Sequence, residues 1–188
     1  MTQYSSSPGS LSRLSTISLI RADLAANSYR KGLGGFVTAT LFNPGFSTIL
    51  RHRLVASISR RGPLGSLLGR WIWRAGVRKT ACHIHWRSRI GPGLALPHPT
   101  GIVIGEGVQV GARATIYQHV TLGTNRKGGT LYPVIGDNVI LYAGSAVIGS
   151  ATVGSDSIIG ANVVIHQDVD PGMSVTGKET RPLQERTA

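Results

Sequence analysis

The sequence has one cysteine, few acidic residues and no long apolar run. The lone Cys82 excludes an internal disulfide framework and fits a reducing compartment. The most apolar early stretch, residues 34–42, is far shorter than the roughly 20 residues that a membrane-spanning helix needs. The polar start, MTQYSSSPGSLSR, lacks the apolar run of a signal peptide. We therefore expect a cytoplasmic protein.

The scarcity of acids is concentrated in the N-terminal part of the chain. Residues 1–80 carry twelve Lys or Arg and one acid, Asp23, whereas residues 81–188 carry eight bases and seven acids. This asymmetry indicates an anionic partner for residues 1–80. The amphipathic segment Leu64 to Val77 includes two tryptophans and favours an anionic membrane surface, which predicts a peripheral location at the inner face of the membrane. Nucleic acid is not favoured, because no recognised binding motif accompanies the charge.

The helical pattern of residues 1–80 leaves an alternative to a membrane role. Helical spacing predicts helices from about residue 18 to residue 32, from 46 to 59 and from 64 to 77, after a frayed segment 1–17. These helices would then pack on the rest of the protein or on another copy, with their charges solvated.

From Ile84 onward the apolar residues recur at a period of six. A period of six fits neither a helix nor a plain strand and is typical of a β-helix, in which each hexapeptide is a short strand plus a corner. Many of the periodic residues are followed by glycine, which we expect to supply the corner dihedrals. The sequence thus predicts a mainly β protein of about four coils over residues 81–178, with a protruding loop at 124–133 and a tail at 179–188. The periodic positions are Ile84, Ile90, Leu96, Ile104, Val110, Ile116, Leu122, Ile135, Leu141, Val147, Val153, Ile159 and Ile165.

Stacked coils predict the neighbours of one histidine, His98. Leu96 and Ile116 lie one coil apart, so His98 and Gln118, each two residues further on, are expected to stack and point outward. Ala143 joins this column if the 124–133 loop protrudes. An outward imidazole can act as a general base at neutral pH. Spacing alone leaves a surface or interface histidine as the alternative.

His83 and His85 flank Ile84 and are also expected to point outward. A three-histidine metal site with His98 is therefore an alternative. It lacks nearby acids and helix-type spacing, so we predict no metal.

Two motifs give the chain a specific resemblance. The segments H-x-T-G-I-V-I-G at 98–105 and I-x-Q-x-V-T-L-G at 116–123 resemble those of the serine acetyltransferase family of hexapeptide acyltransferases. The resemblance spans about residues 82–178. It implies a left-handed β-helix, a homotrimer with active sites between subunits, and acetyl-CoA as the acetyl donor.

The resemblance also implies roles for individual residues. The family's catalytic base falls on His98, which deprotonates the acceptor hydroxyl. The acid that orients this base in the family falls on His83, which stabilises an imidazolium less than a carboxylate does. We expect Gln118 and Tyr132 to contact the acceptor. The resemblance places the CoA arm along Gly123, Thr124, Ala143, Gly144 and Ala161.

Two departures from the family bear on the acceptor. Pro97 replaces the acid that precedes the base in serine-acetylating members, and Leu131–Tyr132 replaces an Arg-His pair. These groups hold the amino acid's charges through hydrogen bonds of about 1.5–3 kcal/mol each. In addition, the segment from Arg21 to Ser28 resembles the start of colanic acid-type exopolysaccharide acetyltransferases.

We therefore expect O-acetylation of a sugar in an exopolysaccharide precursor. Serine O-acetylation for cysteine biosynthesis is the alternative within the same chemistry. A non-catalytic β-helix scaffold is the alternative from another class.

Overall fold

The computed structural model describes residues 14–27, 32–126, 128–177 and 179–182. In these ranges, helices α1 to α4 precede a series of short strands, β1 to β14. The predictions for residues 1–13 and 183–188 lie outside the described residues. The helices span Thr16–Asn27, Gly32–Phe42, Pro44–Ser59 and Pro63–Thr80. The strands span His83–Ile84, Arg89–Ile90, Val103–Ile104, Gln109–Val110, Thr115–Ile116, Thr121–Gly123, Val134–Ile135, Ile140–Leu141, Ala146–Ile148, Thr152–Val153, Ile158–Ile159, Val164–Ile165, Met173–Thr176 and Glu179–Pro182.

The strands form three parallel sheets that wind as a left-handed β-helix, as predicted. Sheet A has the order β1-β3-β6-β9-β12, sheet B the order β10-β7-β4-β2, and sheet C the order β14-β13-β11-β8-β5. The periodic residues pair with one another from coil to coil, for example Ile84 with Ile104 and Leu122 with Val147. Their side chains fill the interior, where Ile116 and Leu141 are fully buried. Among the strands of the described residues, β14 alone runs antiparallel to its neighbour.

Three corners connect the three sheets. The His98 corner, between sheets C and A, consists of residues 97–102, 117–120, 142–145 and 160–163. The loop corner, between sheets A and B, consists of residues 85–88, 105–108, 124–126, 128–133 and 149–151. The glycine corner, between sheets B and C, consists of residues 91–94, 111–114, 136–139 and 154–157.

The role predicted for the glycines that follow the periodic residues is wrong. None of these glycines has a positive φ; at the glycine corner the left-handed residues lie two positions further on and include Arg113 and Asn138. At the glycine corner these glycines are needed because successive coils approach closely. A Cβ on Gly91 would lie 2.5 Å from the carbonyl carbon of Gly111, and one on Gly111 would lie 2.6 Å from that of Gly136. The constraint at these positions is therefore steric and not conformational.

Helix α2 was not predicted as a separate element. Gly32, Gly34 and Gly35 suggested a break, because glycine weakens an isolated helix. In the structure tertiary packing offsets this cost. The ring of Phe36 lies edge-on to that of Phe46, with centroids 5.8 Å apart, and Ala39 is buried. Helix α3 then begins with Asn43 as its N-cap, whose side chain accepts from the Phe46 amide at 2.9 Å.

A buried ion pair attaches the helices to the first coil. The Arg53 Nε donates to the Asp23 carboxylate at 2.8 Å, and the two side chains are 5 % and 1 % exposed. Asp23 also accepts from the amides of Gly93 and Leu94, at 2.9 and 3.1 Å. Arg53 donates to the carbonyls of Ile90 and Gly91, at 2.5 and 2.6 Å. The two charges thus neutralise each other, and backbone groups of the first coil take up their further hydrogen bonds.

We expect Asp23→Ala to lower the free energy of unfolding by about 3–5 kcal/mol, because it leaves the buried Arg53 charge unpaired. Chemical denaturation followed by circular dichroism measures this change. The matched control is Glu106→Gln, which breaks the exposed Arg87–Glu106 pair, 2.6 Å long, and is expected to cost about 0–1 kcal/mol. Equal effects of the two substitutions would contradict the role given to Asp23.

Candidate active site

His98 is exposed on its corner, as predicted, and lies at the end of a short column of aromatic rings. Its ring centroid is 6.2 Å from that of Tyr117, and the rings of Tyr117 and Tyr142 stack at 5.1 Å. The two tyrosines each follow a periodic residue directly, the position that Pro97 holds in the coil of His98. Sequence reasoning missed them because it followed only the column two residues after each periodic position.

Gln118 and Ser145 bring unsatisfied polar atoms to the same corner. The Gln118 Oε1 and the Ser145 Oγ are buried without a hydrogen-bond partner in the described part of the chain. The Gln118 carbonyl accepts from the amide of Gly144 at 3.0 Å, which fixes the backbone of two adjacent coils. Buried polar atoms are normally paired. The corner that carries His98 therefore contains two buried polar atoms whose hydrogen-bonding capacity is unused by the described residues.

The structure places His83 on the strand that leads away from helix α4. Its ring lies edge-on to the indole of Trp73, with centroids 6.1 Å apart. Trp73 in turn donates from its Nε1 to the carbonyl of Ile84 at 2.9 Å. Among the described residues, no hydrogen bond joins His83 to His98. The orienting role of His83 stays a prediction.

The residues expected to bind CoA fall into two groups. Ala143, Gly144 and Ala161 belong to the His98 corner, where the Asn162 amide donates to the Ala143 carbonyl at 2.9 Å. Gly144 has a positive φ of 71°, and a Cβ there would lie 2.2 Å from the Asn162 Oδ1. Gly123 and Thr124 lie across sheet A, where the loop begins. A Cβ on Gly123 would meet no atom within 4 Å, so this edge is open to an extended ligand.

Tyr132 also lies at the loop corner and not beside His98 of its own chain. Its ring packs over the backbone of the preceding coil, since a Cβ on Gly107 would lie 2.3 Å from the Tyr132 Cδ2. Leu131 beside it is exposed. Strand β6, Thr121–Gly123, separates the two corners. Within one chain, the predicted base and the predicted loop residues therefore do not meet.

At the His98 corner, the imidazole of His98 lies beside uncharged residues. Residues 97–99 and Tyr117 bring no carboxylate to the imidazole. Among the described residues, no three metal-binding side chains lie close enough to hold an ion. The open edge at Gly123 leaves room for an extended ligand such as CoA.

Comparisons with known proteins agree with one another. The family model "Bacterial transferase hexapeptide (six repeats)" matches residues 132–167. A serine acetyltransferase of Helicobacter pylori (strain 26695) is 35 % identical over 149 residues, covering 76 % of this chain and 83 % of the relative. One of Mycobacterium tuberculosis is 40 % identical over 126 residues, covering 60 % of this chain but only 55 % of the relative.

A solved structure extends the comparison to the fold. The crystal structure of a serine acetyltransferase in complex with coenzyme A from Brucella abortus strain S19 superposes with a TM-score of 0.76 and is 30 % identical. The match covers 87 % of this chain and 65 % of that one.

Proposed function

Because this chain belongs to the serine acetyltransferase family of hexapeptide-repeat acyltransferases, we propose that it transfers the acetyl group of acetyl-CoA to a hydroxyl group, with serine as the first acceptor to test. The observation that carries the proposal is the exposed His98, which stands on its corner beside the orphaned oxygen of Gln118. The corner contains no cysteine and its Ser145 hydroxyl is buried, which fits direct transfer from acetyl-CoA to the acceptor.

His98 acts as a general base in the proposed reaction. Its imidazole removes the proton of the acceptor hydroxyl as that oxygen attacks the thioester carbonyl carbon. His98 then returns the proton to the sulfur as the carbon–sulfur bond breaks, so that an O-acetyl ester and free CoA leave. Acetyl-CoA supplies the activated acyl group. The Gln118 side chain and the backbone at Gly144 hold the reactants near the base.

The residues of this chain and its relatives favour different acceptors. The relatives reported above are named for serine, and none of them supports the sugar of an exopolysaccharide that the sequence favoured. In contrast, Pro97, Leu131 and Tyr132 supply no charge for a zwitterion. An ammonium group over the faces of Tyr117 and Tyr142 would gain a cation–π contact instead. A neutral hydroxyl acceptor, such as a sugar, is the second candidate.

We expect His98→Ala to lower kcat by about 100- to 10,000-fold, because that is the usual cost of losing a general base. Acetyl-CoA binding, measured by calorimetry, is expected to persist. His166→Ala, which removes an exposed histidine outside the site, is the control. A His98→Ala variant that keeps more than about a tenth of the wild-type kcat would exclude His98 as the base.

The substitution His83→Asp is expected to preserve or raise kcat, because it restores the acid that the family resemblance implies at this position.

A CoA-release assay with two acceptor classes separates the candidates. We expect turnover with serine; turnover with nucleotide- or lipid-linked sugars and not with serine would select the neutral acceptor. Absence of acetyl-CoA binding and of CoA release with every acceptor would instead support a scaffold.

We further propose that the chain acts as a homotrimer with its sites between subunits. The His98 corner and the loop corner carry complementary halves of the predicted site but lie at opposite edges of sheet A. Packing the His98 corner of one subunit against the loop corner of the next would complete the site.

We also propose that helix α4 attaches the protein to anionic membrane surfaces. Leu64, Leu67, Leu68 and Trp71 form an exposed apolar stripe. Arg74, Arg78 and Lys79 continue the same exposed face, and no acid lies on α4. Apolar side chains can enter the headgroup region while the arginines meet lipid phosphates. Among the described residues, no helix is long and apolar enough to cross a bilayer.

Liposome co-sedimentation tests the membrane proposal. We expect binding to anionic but not to neutral vesicles, weakened by salt and by the pair Leu67→Ser and Trp71→Ser. Val164→Ser, an exposed apolar position on the β-helix, is the control. Equal binding to both kinds of vesicle, or to neither, would contradict the proposal. In that case the stripe serves contacts between copies.

A further inference from the structure

A cavity of about 550 Å³ lies between the helices and the first coil, apart from the His98 corner. Helices α1, α3 and α4 form one wall, and residues 86–90 with Gln109 form the other. Its size is in the range of small-molecule sites. None of the residues proposed above for acetyl transfer lines it.

The charge of this cavity has one sign. Arg53, Arg60, Arg87 and Arg89 line it, and no acidic residue does. Arg53 is satisfied by Asp23, and Arg87 pairs with Glu106. Within the described residues, the guanidinium groups of Arg60 and Arg89 have no acidic partner and no hydrogen bond. Both arginines are exposed, so an anion that enters the cavity would meet two cations that lack an acidic partner among the described residues.

Two of the residues that line the cavity, His52 and Ser59, each carry a buried polar atom without a partner in the described part of the chain. The Nδ1 of His52 and the Oγ of Ser59 have no partner among the described residues, and His52 is only 7 % exposed. Burial lowers the pKa of His52 to about 3, with Arg53, His85 and Arg60 adding to the effect. The imidazole is therefore neutral and keeps one N–H to donate. Such unpaired groups cost free energy unless a ligand completes them.

We propose that this cavity binds a small ligand bearing a phosphate group, held by Arg60 and Arg89 with donors from Ser59 and His52. A phosphate presents several acceptor oxygens, which suits donors from the C-terminal half of α3 and from strand β2, and guanidinium groups match its geometry. Apolar lining from Leu19, Ala56 and Ile90 leaves room for the nonpolar part of the ligand. The site is separate from acetyl transfer and goes beyond the proposed function.

Calorimetry with inorganic phosphate and with glycerol 3-phosphate tests the proposal. Binding at the acetyl-transfer site is common to all variants, so the comparison of variants isolates the cavity. We expect one site per chain for both probes. The double substitution Arg60→Gln and Arg89→Gln is expected to weaken binding at least tenfold. The control is Arg61→Gln with Arg70→Gln, which removes the same charge from exposed positions outside the cavity.

Vesicles containing phosphatidic acid distinguish a lipid headgroup from a free phosphorylated metabolite. If the ligand is a headgroup, vesicle binding falls more with the Arg60–Arg89 variant than with the control pair; if it is a metabolite, only the soluble probes show the difference. As a measurement that needs no variant, we expect the ring-nitrogen NMR signals of His52 to shift when inorganic phosphate is added. Absence of binding in both arms, equal binding by the two double variants, or unshifted His52 signals would overturn the proposal.

Discussion

The contact on which the rest of the molecule depends is the buried pair of Asp23 and Arg53. A charge inside a protein is tolerated only when it is paired and hydrogen-bonded. Here each side chain neutralises the charge of the other and also forms hydrogen bonds with backbone groups of the first coil, at residues 90–94. The chain from this coil passes directly to His98. The pair therefore fixes the helices and, through the same few residues, the start of the candidate active site.

The β-helix could be predicted because its signal is periodic and local. The spacing from Ile84 to Ile165 located nearly every strand, and the motifs at 98–105 and 116–123 identified the family, which the relatives confirm. Asp23 was conspicuous as the sole acid of residues 1–80, yet its role was not foreseen. Its partners lie 30 and 70 residues away, and only the tertiary structure brings them together.

The candidate site was predicted less completely than the fold. The outward position of His98 followed from coil stacking, because neighbours in a solenoid can be counted. The rings of Tyr117 and Tyr142 did not follow, because a long side chain reaches beyond its own column. Counting residues per coil also could not show that Tyr132 and His98 occupy different corners of one chain. The corner from which the loop protrudes depends on where each strand begins and ends.

The single reversed strand has a consequence for how far the solenoid extends. A parallel β-helix exposes unpaired amides and carbonyls at both ends, and each end is a template on which another chain can add strands. At the first coil, Arg53 and Asn27 occupy backbone groups that a further coil would use. At the other end, β14 folds back along β13 and pairs with it over four residues. An antiparallel strand does not continue the parallel winding, so β14 opposes the addition of a further coil on sheet C.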